Sequence, residues 1–104
     1  MELDVFTLFP DAFAWFERQR HVANALALGS SLSYLNYRDH TPLSAGQVDD
    51  TPFGGGAGMV LRVDVIEAAL RARYGCDPVE LREDRRGIAL TPAGRLLDDA
   101  LVDE

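Results

Sequence analysis

Four glycines in five positions, Gly54, Gly55, Gly56 and Gly58, strip nearly every side chain from one stretch of the chain. Such a stretch cannot sit inside a stable helix or strand, because glycine loses the most backbone freedom on ordering. It suits places where the backbone takes positive φ or lies directly against a ligand. The surrounding segment, residues 39–58, shows neither helical nor strand periodicity and carries Pro42 and Pro52. An irregular segment of this length in a small domain points to a functional loop or a disordered one. The regular structure must therefore come from the sequence on either side.

Glu2 to Phe9 is rich in β-branched and aromatic residues and closes at Pro10, the pattern of a buried strand. Pro10 and Asp11 suit a first helical turn, predicting a helix to about Arg18. A second helix is expected over His21–Leu28, with Gly29 in the left-handed position after it. Leu32 to Arg38 reads as a second strand. Beyond the glycine segment, Asp64 and Glu67 have capping-box spacing, and Val63, Ile66, Leu70 and Tyr74 share a helical face that Gly75 ends. Gly87 to Leu90 is a short apolar strand candidate leading into Thr91-Pro92-Ala93-Gly94-Arg95, and a last helix is expected from about Leu96 to Glu104. Strands alternating with helices predict an α/β fold, a parallel sheet with flanking helices. No internal repeat, linker or second domain is visible.

At 104 residues and 47% apolar content, the chain is one small domain at most. A core of that size is modest, and a partner subunit or further chain would help to cover it. No apolar run approaches the roughly 18 residues of a membrane span. Met1-Glu2-Leu3-Asp4 opens with acids rather than the basic region of a secretory signal. The single Cys76 fits a reducing compartment, so a cytoplasmic location with no membrane partner is expected. The net charge of −7 argues against nucleic-acid binding over the whole surface. All ten basic residues are arginine, however, and Arg71 and Arg73, then Arg82, Arg85 and Arg86, lie close enough in sequence to form local basic patches.

The glycine segment has a specific context: Val48-Asp49-Asp50-Thr51-Pro52-Phe53-Gly54-Gly55-Gly56-Ala57-Gly58-Met59. A Walker phosphate loop ends in Gly-Lys-Ser/Thr, whereas Met59 follows Gly58 here. A dinucleotide fingerprint would join a strand directly to a helix, which this segment does not. Asp49 and Asp50 have the chemistry to hold a metal or orient a base donor, although adjacent acids also serve as solvated or capping residues. Lone histidines such as His21 and His40 are more often surface or capping residues, and neither they nor Cys76 is assigned a role.

The Val48–Met59 string resembles a signature of the bacterial tRNA (guanine-N1)-methyltransferases, with Phe53 for Tyr and Ala57 for Pro. Phe6-Thr7-Leu8-Phe9-Pro10 resembles the close of that family's first strand. Thr91-Pro92-Ala93-Gly94-Arg95 resembles its Ser/Thr-Pro-Gln-Gly-Arg turn, with Ala93 for Gln. The resemblance implies the amino-terminal part of a trefoil-knot (SPOUT-type) methyltransferase domain over residues 1–104. It implies S-adenosylmethionine as cofactor, tRNA as substrate and a homodimer that shares its active site. The transferred methyl goes to N1 of the guanosine 3′ of the anticodon.

By the same resemblance, Leu90, Thr91, Pro92, Ala93 and Gly94 line the cofactor. Asp49, Asp50, Gly54, Gly55, Gly56, Gly58 and Met59 face the tRNA, with Arg38, Asp39 and Arg95 as weaker candidates. A ligand met by a Pro/Gly turn at the carboxyl end of a parallel strand is also the common α/β arrangement. The family's other knot loops and its catalytic aspartate have no counterpart in these residues, so no catalytic residue is assigned and none is assigned to a metal. The chain is expected to be a truncated portion, inactive alone. Two other readings stay open: a non-catalytic binding or dimerisation module, and a small nucleotide-binding α/β domain whose glycine loop cradles phosphate.

Overall fold

The computed structural model describes all 104 residues. Strand β1 (Glu2–Thr7) lies parallel to β2 (Ser31–Asn36), in a register that runs from Glu2 opposite Ser31 to Thr7 opposite Asn36. Parallel neighbours need a crossover, and the helical residues between them supply it. The single helix expected after Pro10 is divided into a 3-10 turn over Pro10–Phe13 and a one-turn α1 (Ala14–Glu17). Helix α2 (Arg20–Ala27) follows. Gly29 takes φ +101°, with its N–H bonded to Leu26 and that of Ser30 bonded to Ala25, a Schellman closure. This tight ending turns the chain directly into β2.

The glycine segment is not wholly irregular. Asp49–Asp50 (β3) pairs antiparallel with Val60–Leu61 (β4), Asp49 opposite Leu61 and Asp50 opposite Val60. The Arg62 N–H donates to the Val48 carbonyl at 2.9 Å, which lengthens the pairing by one rung. The glycines thus form the tip of a hairpin.

Helix α3 (Val63–Tyr74) ends at Gly75, whose φ of +70° is left-handed as expected. Two details differ from the sequence reading. The capping box does not form: the N-cap is Arg62, the Asp64 carboxylate takes the Arg62 guanidinium in two 2.9 Å bonds and the Val65 N–H at 3.1 Å, and Glu67 pairs with Arg71 at 2.8 Å. Charge-assisted bonds to arginine are the stronger ones and orient both carboxylates, with one Asp64 oxygen shared with the Val65 N–H. The helix also presents a different face. Val65 and Ala69, four residues apart, are fully buried, Ile66, Leu70 and Tyr74 are half-buried, and Val63 is 77% exposed.

Aromatic contacts tie the layers together. The Phe6 ring lies 5.8 Å from Tyr37 and 6.3 Å from Tyr74, and Phe13 lies 5.3 Å from Tyr34. Only Val48, Val65 and Ala69 are fully buried. Within and beyond the one-turn α4 (Leu81–Asp84), residues 82–100 are exposed throughout. Gly87–Leu90 is not a strand, with Ile88 at 73% and Leu90 at 94% exposure. Strand preference expresses fit to a pleated, half-covered surface, and these residues find no such surface here. The last helix, α5 (Asp99–Asp103), starts three residues later than expected, because Asp98 caps it by accepting from the Leu101 N–H at 2.8 Å. With this open tail the Cα radius of gyration is 15.8 Å, against about 13 Å for a compact chain of 100 residues.

Candidate functional site

Gly54, Gly55, Gly56 and Gly58 all have positive φ, at +80°, +84°, +123° and +86°. The Gly55 N–H donates to the Pro52 carbonyl at 3.2 Å, closing a turn with Gly54 in its third position, where positive φ selects glycine. A Cβ added at any of the four would meet no atom within 4 Å. Conformation, not crowding, therefore demands glycine here, and the bare backbone faces open space. Phe53 and Met59 beside it are exposed, at 105% and 57%.

The base of the hairpin is fastened by a residue that the sequence reading passed over. Arg62 donates through Nη1 to Asp50 at 2.8 Å and through Nε and Nη2 to Asp64. The Asp64 hydrogen bonds hold the guanidinium above its ordinary range, and the same bonds hold the Asp64 carboxyl below 3.8. Asp50 also accepts from the Thr51 N–H at 2.7 Å. Asp50 is thus committed to the hairpin, and the half-buried Asp49 lies beside it in the ladder. The alternation Leu61-Arg62-Val63 just before a helix was the available signal for Arg62, and it is a weak one.

Arg38 donates to the Gly46 carbonyl at 2.9 Å, pinning the turn between β2 and the hairpin, and Asp39 beside it is exposed. Arg95 is engaged by Glu104 in a two-pronged contact at 3.0 and 2.7 Å. No hydrogen bond or ion pair links the glycine hairpin to the Thr91–Gly94 turn. No three His, Cys, Asp or Glu side chains converge as a metal site, and no helix is long and apolar enough to cross a membrane.

The Thr91–Gly94 turn is closed by the Gly94 N–H on the Thr91 carbonyl at 3.0 Å and by the Ala93 N–H on Thr91 Oγ1 at 3.2 Å. The Leu90 N–H and carbonyl and the Thr91 N–H make no bond to the protein, and the Leu90 side chain is almost fully exposed. These free backbone donors and acceptors lie beside an apolar side chain on an open surface.

The comparisons with known proteins agree with one another. The profile of the family described as tRNA (Guanine-1)-methyltransferase TrmD matches residues 1–104. A tRNA (guanine-N(1)-)-methyltransferase of Rhodospirillum rubrum is 41% identical over 102 residues, covering 96% of this chain and 39% of the relative. Its counterpart in Exiguobacterium sibiricum is 38% identical over 104 residues, covering 100% of this chain and 40% of the relative. The crystal structure of tRNA (m1G37) methyltransferase from Aquifex aeolicus superimposes with a TM-score of 0.62 at 32% identity. That match covers 72% of this chain and 35% of that one. The chain thus spans about two fifths of the length of the curated relatives it matches. With a profile match over all its residues and the α/β fold of a solved relative, the chain belongs to the tRNA (guanine-1)-methyltransferase family.

Proposed function

We propose that residues 1–104 form the amino-terminal portion of a methyltransferase domain that modifies N1 of the guanosine 3′ of the anticodon in tRNA. The observation that carries this reading is the profile match across the full chain. S-adenosylmethionine supplies the electrophilic methyl group in this reading. Leu90, Thr91, Pro92, Ala93 and Gly94 hold it, using the unpaired backbone groups at Leu90 and Thr91. Ala93 contributes backbone only. The glycine hairpin, fixed at its base by Arg62 and Asp50, offers open backbone to a base or ribose of the RNA. With a net charge of −7 the surface as a whole does not attract phosphate, so docking depends on local arginines and on further protein surface. The protein acts in the cytoplasm as a homodimer. The exposed Trp15 and its neighbours Phe13 and Phe16 are one apolar surface a second subunit would cover.

The test is a chimera in which these 104 residues replace the matching segment of the Rhodospirillum rubrum relative. It should transfer labelled methyl from S-adenosylmethionine to unmodified tRNA, and not to the same tRNA with adenosine in place of the target guanosine. A chimera that is folded by circular dichroism yet transfers nothing overturns the reading. Binding of ATP with no binding of S-adenosylhomocysteine would favour a phosphate cradle instead.

A further inference from the structure

We propose that Glu104 is a positioning residue for the Thr91–Gly94 turn, its one carboxylate gripping both Arg86 and Arg95, the residues that flank the segment carrying that turn. The inference rests on the reading of this turn as a cofactor wall. Glu104 Oε1 accepts from Arg95 Nη1 at 3.0 Å, and Oε2 accepts from Arg95 Nη2 at 2.7 Å. The same Oε2 accepts from Arg86 Nη2 at 3.3 Å. Residues 87–94 lie between the two arginines and have little else to hold them. They are exposed throughout, and their only hydrogen bonds are those within the turn, from the Gly94 and Ala93 N–H groups to the Thr91 carbonyl and hydroxyl.

The carboxylate is itself presented by a defined element. Helix α5 begins four residues after Arg95, capped by Asp98 through the Leu101 N–H, and the Val102 N–H donates to the Asp98 carbonyl at 3.1 Å. Glu104 follows the last turn of that helix. The result is a closed circuit: Arg86, the exposed segment, Arg95, α5, Glu104 and back to both arginines. Closing a flexible loop costs entropy that rises slowly with its length. A clamp that bears this cost before ligand arrives leaves less to be lost on binding. Exposed ion pairs contribute little to folding, so the effect belongs on ligand affinity rather than on stability. A two-pronged arginine–carboxylate contact also fixes orientation, which a single exposed pair does not.

The experiment uses the chimera described above. Glu104→Gln keeps the side chain's size and removes its charge. The dissociation constant for S-adenosylhomocysteine by calorimetry, and KM for S-adenosylmethionine, should rise about two- to fivefold, with kcat unchanged. Added salt should weaken binding by the parent chimera and leave the Gln variant nearly unaffected, because screening acts on the clamp. In the 104-residue chain itself, NMR order parameters across residues 87–94 should fall in Glu104→Gln. Unchanged affinity, or a loss that tracks a lower melting temperature with unaltered salt dependence, overturns the clamp. A parent chimera that binds no S-adenosylhomocysteine overturns the cofactor reading instead, and unchanged order parameters then reject the clamp independently.

Discussion

The Tyr74 hydroxyl donates to the Asp4 carboxylate at 2.6 Å, joining the first strand to the end of α3 across 70 residues of sequence. Arg73 adds a contact at 2.8 Å to the other Asp4 oxygen. Arg85 approaches the carboxylate at 3.8 Å while its guanidinium lies 4.6 Å from the centre of the Tyr74 ring. The Asp4 side chain keeps only 7% of its exposure, beneath the Arg73 and Arg85 guanidinium groups and the Tyr74 hydroxyl. This knot of charge ties the sheet to the helix and to the chain that leads towards the Thr91–Gly94 turn.

Asp4→Ala should therefore destabilise the fold by about 1–2 kcal/mol, discounted for solvent at the rim of the cluster. Burial pushes the Asp4 carboxyl up, but the Arg73 and Tyr74 hydrogen bonds, with the charges of Arg73 and Arg85, outweigh it and hold it below 3.8. A carboxyl lowered on folding adds stability that is complete above its unfolded value and lost as pH falls through the folded one. Urea midpoints measured from pH 6 to pH 2 should show the parent and Asp4→Ala converging below pH 3.8. A constant gap across that range would contradict the assignment.

Gly55→Val tests the hairpin tip. At φ +84° a β-branched residue is strained, costing on the order of 1–3 kcal/mol in the local loop conformation. Because a Cβ there meets nothing within 4 Å, the strain acts on loop shape and not on the core. In the chimera, KM for tRNA should rise severalfold while S-adenosylhomocysteine affinity holds. Collapse of cofactor binding with tRNA kinetics preserved would place the hairpin elsewhere.

Gly94→Val addresses the other surface. A Cβ at Gly94 would stand 3.1 Å from the Thr91 carbonyl, the acceptor that closes the turn, so the backbone must give way. Calorimetry on the chimera should show S-adenosylhomocysteine affinity falling well beyond any change in melting temperature. An unchanged dissociation constant removes this turn from the cofactor site.

By themselves, residues 1–104 should not methylate tRNA. A ligand site normally encloses most of its ligand's surface, and here residues 86–100 are exposed on every side. No side chain near the turn is placed as a general base, a role that contributes roughly 10²–10⁴ in rate. Labelled methyl transfer by the purified chain should stay at background, with S-adenosylhomocysteine binding millimolar or weaker. Turnover near that of the chimera would show that the base lies within these residues.

Local chemistry is legible in the sequence itself. Proline at position 10, glycine at positions 29 and 75 and the β-branched and aromatic run of Glu2–Thr7 act within a few residues, so the first strand and two helix ends follow from the sequence. So did the glycine tip, because positive φ is a property of each residue in turn. Tertiary structure decided what depends on partners distant in the chain. It turned Asp49–Asp50 and Val60–Leu61 into a hairpin, and it gave Asp64 to Arg62 and Glu67 to Arg71, so the reciprocal capping box does not form. It set the buried face of α3 on Val65 and Ala69 instead of Val63, since periodicity describes a stripe but only a neighbour chooses its centre. It also left Gly87–Leu90 without a ladder, because a strand exists only through the hydrogen bonds another strand provides.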